Sequence, residues 1–178
     1  MSVYLIELSG DVLELGGGER PHFHPNLDVR NLPEVDIVRD LNEVPYPFED
    51  NTFDGVLGIY VLEHLGWRNI RSVVGEIRRI LKPSGKAVFL IPNTYEQCLA
   101  IVKRGWNEKS AELLFGGQDY GANAHSCGFS PRYVRELFAG FDVKILTPMP
   151  NVYLRQNGRN IPLFPACDTD MVVEAVKH

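Results

Sequence analysis

The segment that most constrains the fold of this chain is Asp11-Val-Leu-Glu-Leu-Gly-Gly-Gly18, in which a short apolar run ends in three glycines. The apolar run predicts a buried strand, and the glycines predict a tight turn directly after it. Because glycine lacks a Cβ atom, its backbone can adopt positive φ values and a ligand can lie against it. Ligands of open α/β sheets bind at the carboxyl ends of the strands. The segment therefore predicts a ligand site at this turn, with the ligand itself still open.

Strand-like runs alternate with helical patterns along the whole chain, which is typical of an α/β domain with a parallel sheet. The predicted strands cover residues 12–15, 26–29, 35–38, 53–59, 86–91, 141–146 and 171–177, with 3–8 as an extra edge strand or a lead-in. The predicted helices cover residues 69–81, 95–103, 108–115 and 130–138, with Thr94 as the cap of the second. The stretch 148–168 is predicted to be the longest irregular segment, and a single domain spans residues 1–178.

The connections between the first strands are unusually short. Only about seven residues separate Gly18 from the second strand, whereas a parallel crossover usually needs a dozen or more. The first helices are therefore expected to be shortened or missing.

Composition excludes several classes of protein. The net charge is −5, whereas a general nucleic-acid binder usually has an excess of basic residues, so a nucleic-acid partner is not expected. The three cysteines form no CxxC pair, which argues against a disulfide framework and a structural zinc site. Neither a signal peptide nor a membrane-spanning segment is recognisable, so the protein is expected to be cytoplasmic and to have no membrane partner.

Several segments in the same order resemble the class I S-adenosylmethionine-dependent methyltransferases, in particular their compact type 11-like subgroup. The segment Val12-Leu-Glu-Leu-Gly-Gly-Gly18 is similar to that family's acidic-x-Gly-x-Gly loop. The most distinctive match is Pro47-Phe-Glu-Asp-Asn-Thr-Phe-Asp-Gly-Val56, followed by Gly58-Ile-Tyr-Val-Leu-Glu-His-Leu65. The segment Ile80-Leu-Lys-Pro-Ser-Gly-Lys86 resembles the family's helix end and turn before the fifth strand. The resemblance implies a Rossmann-like, seven-stranded, mostly parallel sheet with an antiparallel last strand.

The resemblance also implies a cofactor, S-adenosyl-L-methionine, and the residues that hold it. Asp28 would bind the ribose, because a carboxylate can accept hydrogen bonds from both hydroxyls. Asp40 would accept from the adenine amino group, and the backbone of Leu41 would meet the ring. The implied cofactor residues are Glu14, Gly16, Gly17, Gly18, Asp28, Asp40, Leu41, Gly58, Ile59 and Tyr60. Tyr60 would either pack against the cofactor or fill the core.

On the acceptor side, His125 is the candidate catalytic residue, since a histidine near its ordinary pKa can take a proton from a hydroxyl. A loop histidine bonded to the backbone is an equally good interpretation. The polar residues Gln118, Asp119, Tyr120 and Asn123 would suit a small-molecule or sugar-like acceptor, and a polar surface loop would look the same. His64 is expected to be structural, and Trp67 and Trp106 are expected to be packing residues.

The predicted function is thus methyl transfer to a small-molecule or sugar-like acceptor. One alternative is a non-catalytic cofactor-binding or assembly protein on the same fold. The other is a nucleic-acid or protein methyltransferase, which a basic strip of Arg132, Arg135 or Arg155 near His125 would favour. The HxH pair His22 and His24 lacks a carboxylate or cysteine at fitting spacing, so no metal is predicted. The oligomeric state is left open, with a homodimer as one possibility.

Overall fold

The computed structural model describes residues 3–148, 151–156, 158–163, 165 and 167–178. Over these residues the strands are β1 (Val3–Glu7), β2 (Val12–Leu15), β3 (Asn26–Asp28), β4 (Ile37–Val38), β5 (Phe53–Ile59), β6 (Leu81–Pro92), β7 (Phe141–Leu146), β8 (Asn151–Gln156), β9 (Arg159–Leu163) and β10 (Asp170–Lys177). The helices are α1 (Ile70–Ile80), α2 (Thr94–Arg104), α3 (Glu108–Phe115) and α4 (Pro131–Leu137), with a short 3-10 helix at Leu62–His64.

The large sheet is built from alternating strands and helices, as expected. Its strand order is β4-β3-β2-β5-β6-β10-β7, and β10 runs antiparallel to both of its neighbours while the other pairs are parallel. The prediction of an α/β protein with a mostly parallel sheet is confirmed. After β2 the chain builds outward to β3 and β4, then returns to the other side of β2 with β5. The carboxyl ends of β2 and β5 therefore form a topological switch point, where α/β proteins bind ligands.

One face of the large sheet is covered by helices. The apolar residues of α1 recur at helical spacing and are buried, namely Ile70, Val73, Val74, Ile77 and Ile80. They pack in one cluster with α4 and with the underside of β2, β5 and β6. The predicted helix over 69–81 is confirmed to within one residue at each end.

The opposite face is covered by a second, three-stranded sheet in the order β1-β8-β9. Its apolar residues Ile6, Val152 and Leu154 pack against Leu57 and Val88 of the large sheet. The prediction that 148–168 is irregular is therefore wrong for β8 and β9, whereas Met149, Pro150, Asn157, Phe164 and Ala166 lie outside the described residues. The 3–8 strand exists, but it belongs to this sheet and not to the edge of the large one.

The connection from β2 to β3 crosses this same face without a helix. Residues 16–52, all of them described, contain no helix, which confirms the expectation drawn from the short connections. Phe23 fills the space over the sheet, where it is buried in the cluster shared by the two sheets. The loop and the three-stranded sheet thus cover this face of the large sheet, as the helices cover the other face.

Three local predictions need correction. The cap of α2 is Asn93, whose side chain accepts a hydrogen bond from the amide of Glu96, because Thr94 is already helical and its hydroxyl accepts from the amide of Phe129. Strand β6 begins at Leu81, and a register shift against β5 accommodates the turn that follows. Neither Trp67 nor Trp106 is a core residue, since 60% and 58% of their surfaces are exposed, although the Trp106 ring lies 6.1 Å from the ring of Phe115.

Among the described residues, no helix has the length and apolar character needed to cross a lipid bilayer.

The packing of the two sheets predicts that Leu154 is part of the cooperative core. Truncating this fully buried side chain in Leu154→Ala should lower the free energy of unfolding by roughly 2–5 kcal/mol, because it leaves a cavity between the sheets. Urea denaturation monitored by circular dichroism measures the change. Leu5→Ala in the same small sheet is the matched control, since Leu5 is 40% exposed and its loss should cost about 0.5 kcal/mol. Equal effects of the two substitutions would contradict the packing.

Candidate functional site

A cavity of about 360 Å³ opens at the switch point of the large sheet. Residues that directly follow β2, β3, β4 and β5 line it together with part of the loop 116–128. The lining residues are Gly16, Asp28, Val29, Arg30, Asp40, Leu41, Asn42, Tyr60, Val61, His64, Leu65, Tyr120, Gly121, Ala122, Ala124 and Ser126. The volume lies within the range of small-molecule pockets, about 300–1,000 Å³.

The glycine turn forms the floor of the cavity at Gly16. Its φ of +71° lies in the left-handed region that favours glycine, and a Cβ there would lie 2.6 Å from Cγ2 of Val61. The amide of Gly16 donates to the carbonyl of Leu27 at 2.7 Å, which ties the turn to β3. The chain therefore requires glycine here both for its backbone conformation and for the close approach of Val61.

The carboxylate of Asp28 ends β3 at the wall of the cavity. It is 5% exposed and accepts hydrogen bonds from the amide of Gly18 at 3.0 Å and from the amide and Nε of Arg30 at 2.8 and 3.2 Å. The Arg30 guanidinium also lies 5.0 Å from the ring centroid of Tyr120 in the loop 116–128. The Arg30 side chain thus links the β3 side of the cavity to the loop side. Since a carboxylate offers about four lone pairs, Asp28 retains accepting capacity for a ligand.

The segment after β4 supplies a second acidic residue. One carboxylate oxygen of Asp40 accepts from the amide and the side-chain nitrogen of Asn42 at 2.8 and 2.9 Å. The Asn42 side-chain oxygen in turn accepts from the amide of Gly66 at 2.9 Å. These bonds hold the buried Leu41 at the cavity wall.

Tyr60 sits at the end of β5 in a strained backbone conformation. Its φ of +50° is unfavourable for a bulky residue, and such strain clusters at functional sites. Its amide donates to the carbonyl of Leu90 at 2.9 Å, and its hydroxyl donates to the buried carboxylate of Asp170 at 2.6 Å. The partners belong to β6, the neighbour of β5, and to β10, the next strand along, so the sheet itself holds the ring at the cavity.

The structure brings together five of the cofactor residues predicted from the sequence: Gly16, Asp28, Asp40, Leu41 and Tyr60. The other five are not among the lining residues: Glu14, Gly17, Gly18, Gly58 and Ile59.

Glu14 supports the loop between β2 and β3. Its carboxylate, only 3% exposed, accepts from the amides of His22 and Phe23 and lies 3.2 Å from Nδ1 of the His22 ring. It holds the loop between β2 and β3 in place.

The loop 116–128 forms the opposite wall, but His125 does not reach the cavity. Among the polar residues proposed for the acceptor, Tyr120 lines the cavity, whereas Asp119 and Asn123 bond to each other and Gln118 bonds to the carbonyl of Phe115. The histidine that does line the cavity is His64, and its Nδ1 donates to the carbonyl of Ala124 at 3.2 Å. In the sequence, the position of His64 shortly after β5 was the signal that could have placed it at the cavity.

Behind His64 lies a buried carboxylate that the sequence reasoning did not single out. Glu63 is 1% exposed, and burial raises the pKa of its side chain to about 8. Burial lowers the pKa of both His64 and His125, and for His125 the neighbouring His64 lowers it further. The two rings lie with centroids 5.1 Å apart in an edge-to-face arrangement.

The other candidates lie away from the cavity. His24 lies 2.7 Å from the Asp36 carboxylate, and His22 pairs with Glu14. Each histidine of the HxH pair thus bonds to a different carboxylate. Arg132 pairs with Glu136, Arg135 bonds to the carbonyl of Pro131, and Arg155 bonds to Asn160. None of these arginines is a lining residue, so the proposed basic strip does not border the cavity.

The sequence profile described as "Methyltransferase domain" matches residues 2–89, which include the glycine turn and all strands from β1 to β5. A demethylmenaquinone methyltransferase of Bacillus mycoides is 31% identical over 91 residues, covering 49% of this chain and 33% of that protein. Over residues 2–89 the chain belongs to this methyltransferase domain family, and the matches together support a class I S-adenosylmethionine-dependent methyltransferase. Enzymes of this family use S-adenosylmethionine as the methyl donor.

Two further proteins are similar to this chain. An uncharacterised protein of Methanocaldococcus jannaschii is 50% identical over 52 residues, which cover 29% of this chain and 22% of that protein. The crystal structure of a methyltransferase from Archaeoglobus fulgidus superposes with a TM-score of 0.58 over 93% of this chain and 85% of that one, at 16% identity, which speaks for the fold alone. The matches span only a fifth to a third of the curated relatives' lengths.

The His22–Glu14 pair predicts a pH-dependent contribution to stability. The hydrogen bond that the His22 ring donates to the Glu14 carboxylate raises the pKa of His22 above its ordinary 6.5. The stabilisation is therefore fully present below pH 6.5 and is lost as the pH rises through the raised pKa. Between about pH 6 and about pH 9, the free energy of unfolding should fall more for the native protein than for His22→Gln, as measured by urea denaturation. His178→Gln, at an exposed histidine, should keep the native dependence. Parallel curves for the native protein and His22→Gln would refute the prediction.

Proposed function

We propose that this chain binds S-adenosylmethionine in the cavity at the switch point and transfers its methyl group to a small-molecule or sugar-like acceptor. The observation that carries the proposal is the convergence on one cavity of Gly16, Asp28, Asp40 and Tyr60, which follow or end four adjacent parallel strands. The family resemblance proposed these residues as cofactor contacts from the sequence alone.

In this proposal each wall of the cavity holds one part of the cofactor. The Asp28 carboxylate would accept from a ribose hydroxyl with the lone pair left by Gly18 and Arg30. Asp40 and the backbone of Leu41 meet the adenine. The Gly16 turn and Tyr60, which both line the cavity, would hold the methionine part. His64 and the lining residues of the loop 116–128 would then border the part of the cavity left for the acceptor.

Methyl transfer places modest chemical demands on the protein. The bound sulfonium supplies an activated methyl group and a neutral leaving group, so the chain's own residues mainly align the acceptor with it. Tyr120, Ala124 and Ser126 form the wall that an acceptor would contact. His125 receives no step in this proposal, because it does not line the cavity.

A small acceptor is favoured over a macromolecule. The cavity is bounded on the acceptor side by the loop 116–128, the net charge is −5, and the three arginines of the proposed basic strip do not line the cavity. A non-catalytic binding protein on the same fold would bind the cofactor and turn over no acceptor. A panel of hydroxylated small molecules, assayed for production of S-adenosylhomocysteine, separates these two functions.

The ribose assignment predicts that Asp28→Ala weakens binding of S-adenosylhomocysteine by about 10- to 100-fold, the loss expected for hydrogen bonds to one charged group. Isothermal titration calorimetry measures the affinity, and circular dichroism checks that the variant is folded. Asp142→Ala, at an exposed carboxylate on β7, is the matched control and should bind as the native protein does. Unchanged affinity in a folded Asp28→Ala variant would reject the assignment, and a folded native protein that binds no S-adenosylhomocysteine would reject the proposed function.

A further inference from the structure

The structure assembles a metal-ligating group that the sequence reasoning did not predict. Glu63, His64 and His125 each offer one ligand atom, and these atoms all lie within 4.8 Å of one another. Over the described residues this is the one such group of three or more acidic, histidine or cysteine side chains. Its members come from the 3-10 helix and from the loop 116–128, which are distant in sequence.

The backbone fixes these three residues relative to one another. The carbonyl of Glu63 accepts hydrogen bonds from the amides of Ser126 and Cys127 at 2.7 and 3.0 Å. The amide of His125 donates to the carbonyl of Phe115 at 3.0 Å. These bonds hold the loop against the 3-10 helix next to His125. The backbone, and not only the choice of rotamers, therefore brings the three side chains close together.

The Glu63 carboxyl group is the observation that points to a ligand. It is 1% exposed, and its Oε2 has no hydrogen-bond partner among the described residues. A buried polar atom without a partner costs about 1–3 kcal/mol, and more when the group is charged. A cation beside Oε2 would satisfy the orphaned atom.

The two histidines are arranged as metal ligands usually are. A histidine ligand typically donates its other ring N–H to a carbonyl or carboxylate, which fixes the tautomer. Nδ1 of His64 donates to the carbonyl of Ala124, and in that tautomer the lone pair is on Nε2. The Tyr60 carbonyl is a second backbone acceptor near the ring. Hydrogen bonds to the carbonyls of Leu113 and Leu114 oppose the effect of burial on His125 and show that its ring also has backbone acceptors nearby.

We propose that Glu63, His64 and His125 form a binding site for one divalent transition-metal cation at the acceptor end of the cavity. Two imidazole nitrogens and one carboxylate oxygen suit Mn²⁺, Fe²⁺, Co²⁺ or Zn²⁺ better than Ca²⁺ or Mg²⁺, which prefer oxygen ligands alone. Three protein ligands leave coordination positions open, as in catalytic metal sites. Because His64 lines the cavity, a molecule bound there can reach the cation.

The site narrows the class of acceptor, a step that rests on the proposed function. A divalent cation lowers the pKa of a coordinated hydroxyl group, so the acceptor is one that presents a hydroxyl oxygen to the metal. That hydroxyl loses its proton to solvent water, and its oxygen forms a bond to the methyl carbon as the carbon–sulfur bond breaks. The electron pair of that bond stays on sulfur, which becomes a neutral thioether.

The metal alone tests the site. Native protein freed of metal by a chelator and dialysis is titrated with Mn²⁺, Co²⁺ and Zn²⁺ in a calorimeter, and the Co²⁺ complex is recorded by visible absorption. We expect one equivalent to bind, with ligand-field bands typical of mixed nitrogen and oxygen ligands. Glu63→Gln, which keeps the side-chain shape, and His125→Ala should each weaken binding at least tenfold. His24→Ala is the matched control, because it removes a histidine of the HxH pair and should leave the affinity unchanged.

Each outcome has a defined meaning. The absence of stoichiometric binding and of Co²⁺ bands in folded native protein would overturn the site, whatever the variants do. Equal affinities of the native protein, Glu63→Gln and His125→Ala would overturn it too, as would a loss confined to His24→Ala. Binding of S-adenosylhomocysteine is measured on the same metal-free samples. Failure of that binding rejects the proposed function and leaves the metal titration as an independent result.

Discussion

The buried carboxylate of Glu14 is the interaction on which the ligand-binding end of this fold depends. It lies at the end of β2, and its acceptance of the His22 and Phe23 amides fixes a loop that has no helical hydrogen bonds of its own. A buried backbone amide needs a hydrogen-bond acceptor. In a helix, the amides after the first turn donate to carbonyls of the preceding turn. Here one acidic side chain replaces that support. The glycine turn and Asp28 are held at either end of this loop.

The small sheet completes what Glu14 begins. The side chain of Gln156 on β8 donates to the carbonyl of His22 at 2.8 Å, so the loop is held from β2 on one side and from the small sheet on the other. The hydroxyl of Tyr4 on β1 donates to Glu174 on β10, which fixes the small sheet to the large one. Apolar burial supplies most of the stability between the sheets, and these polar contacts set their relative position.

Local periodicity predicted the large sheet well and the small one poorly. Strands β2, β5 and β7 have the predicted bounds, because continuous or alternating apolar runs encode them locally. The segment that becomes β8 does carry a local signal, because Val152 and Leu154 alternate and the dipeptide Asn157-Gly158, typical of hairpins, separates it from its antiparallel partner β9. Only its pairing with β1, at the other end of the chain, depends on tertiary contacts. The same limit applies to the site. Asp28 and Asp40 follow strands and were predicted, whereas the burial of Glu63 and its approach to His125 exist only once the loop 116–128 has folded against the 3-10 helix.

Under the proposed function, this difference in origin separates the two halves of the site. The cofactor half is built from strand ends, whose hydrogen bonds to neighbouring strands leave little freedom, as at Gly16 and Tyr60. The acceptor half is built from a loop that contacts the 3-10 helix through the carbonyl of Glu63 and the ring of His64, and the β3 side through the Arg30–Tyr120 contact. Substitutions in the loop can therefore change what the wall of the cavity accepts without disturbing the strand ends. A metal held by Glu63, His64 and His125 would bridge the two halves, because it would join a residue next to the cofactor wall to one in the loop.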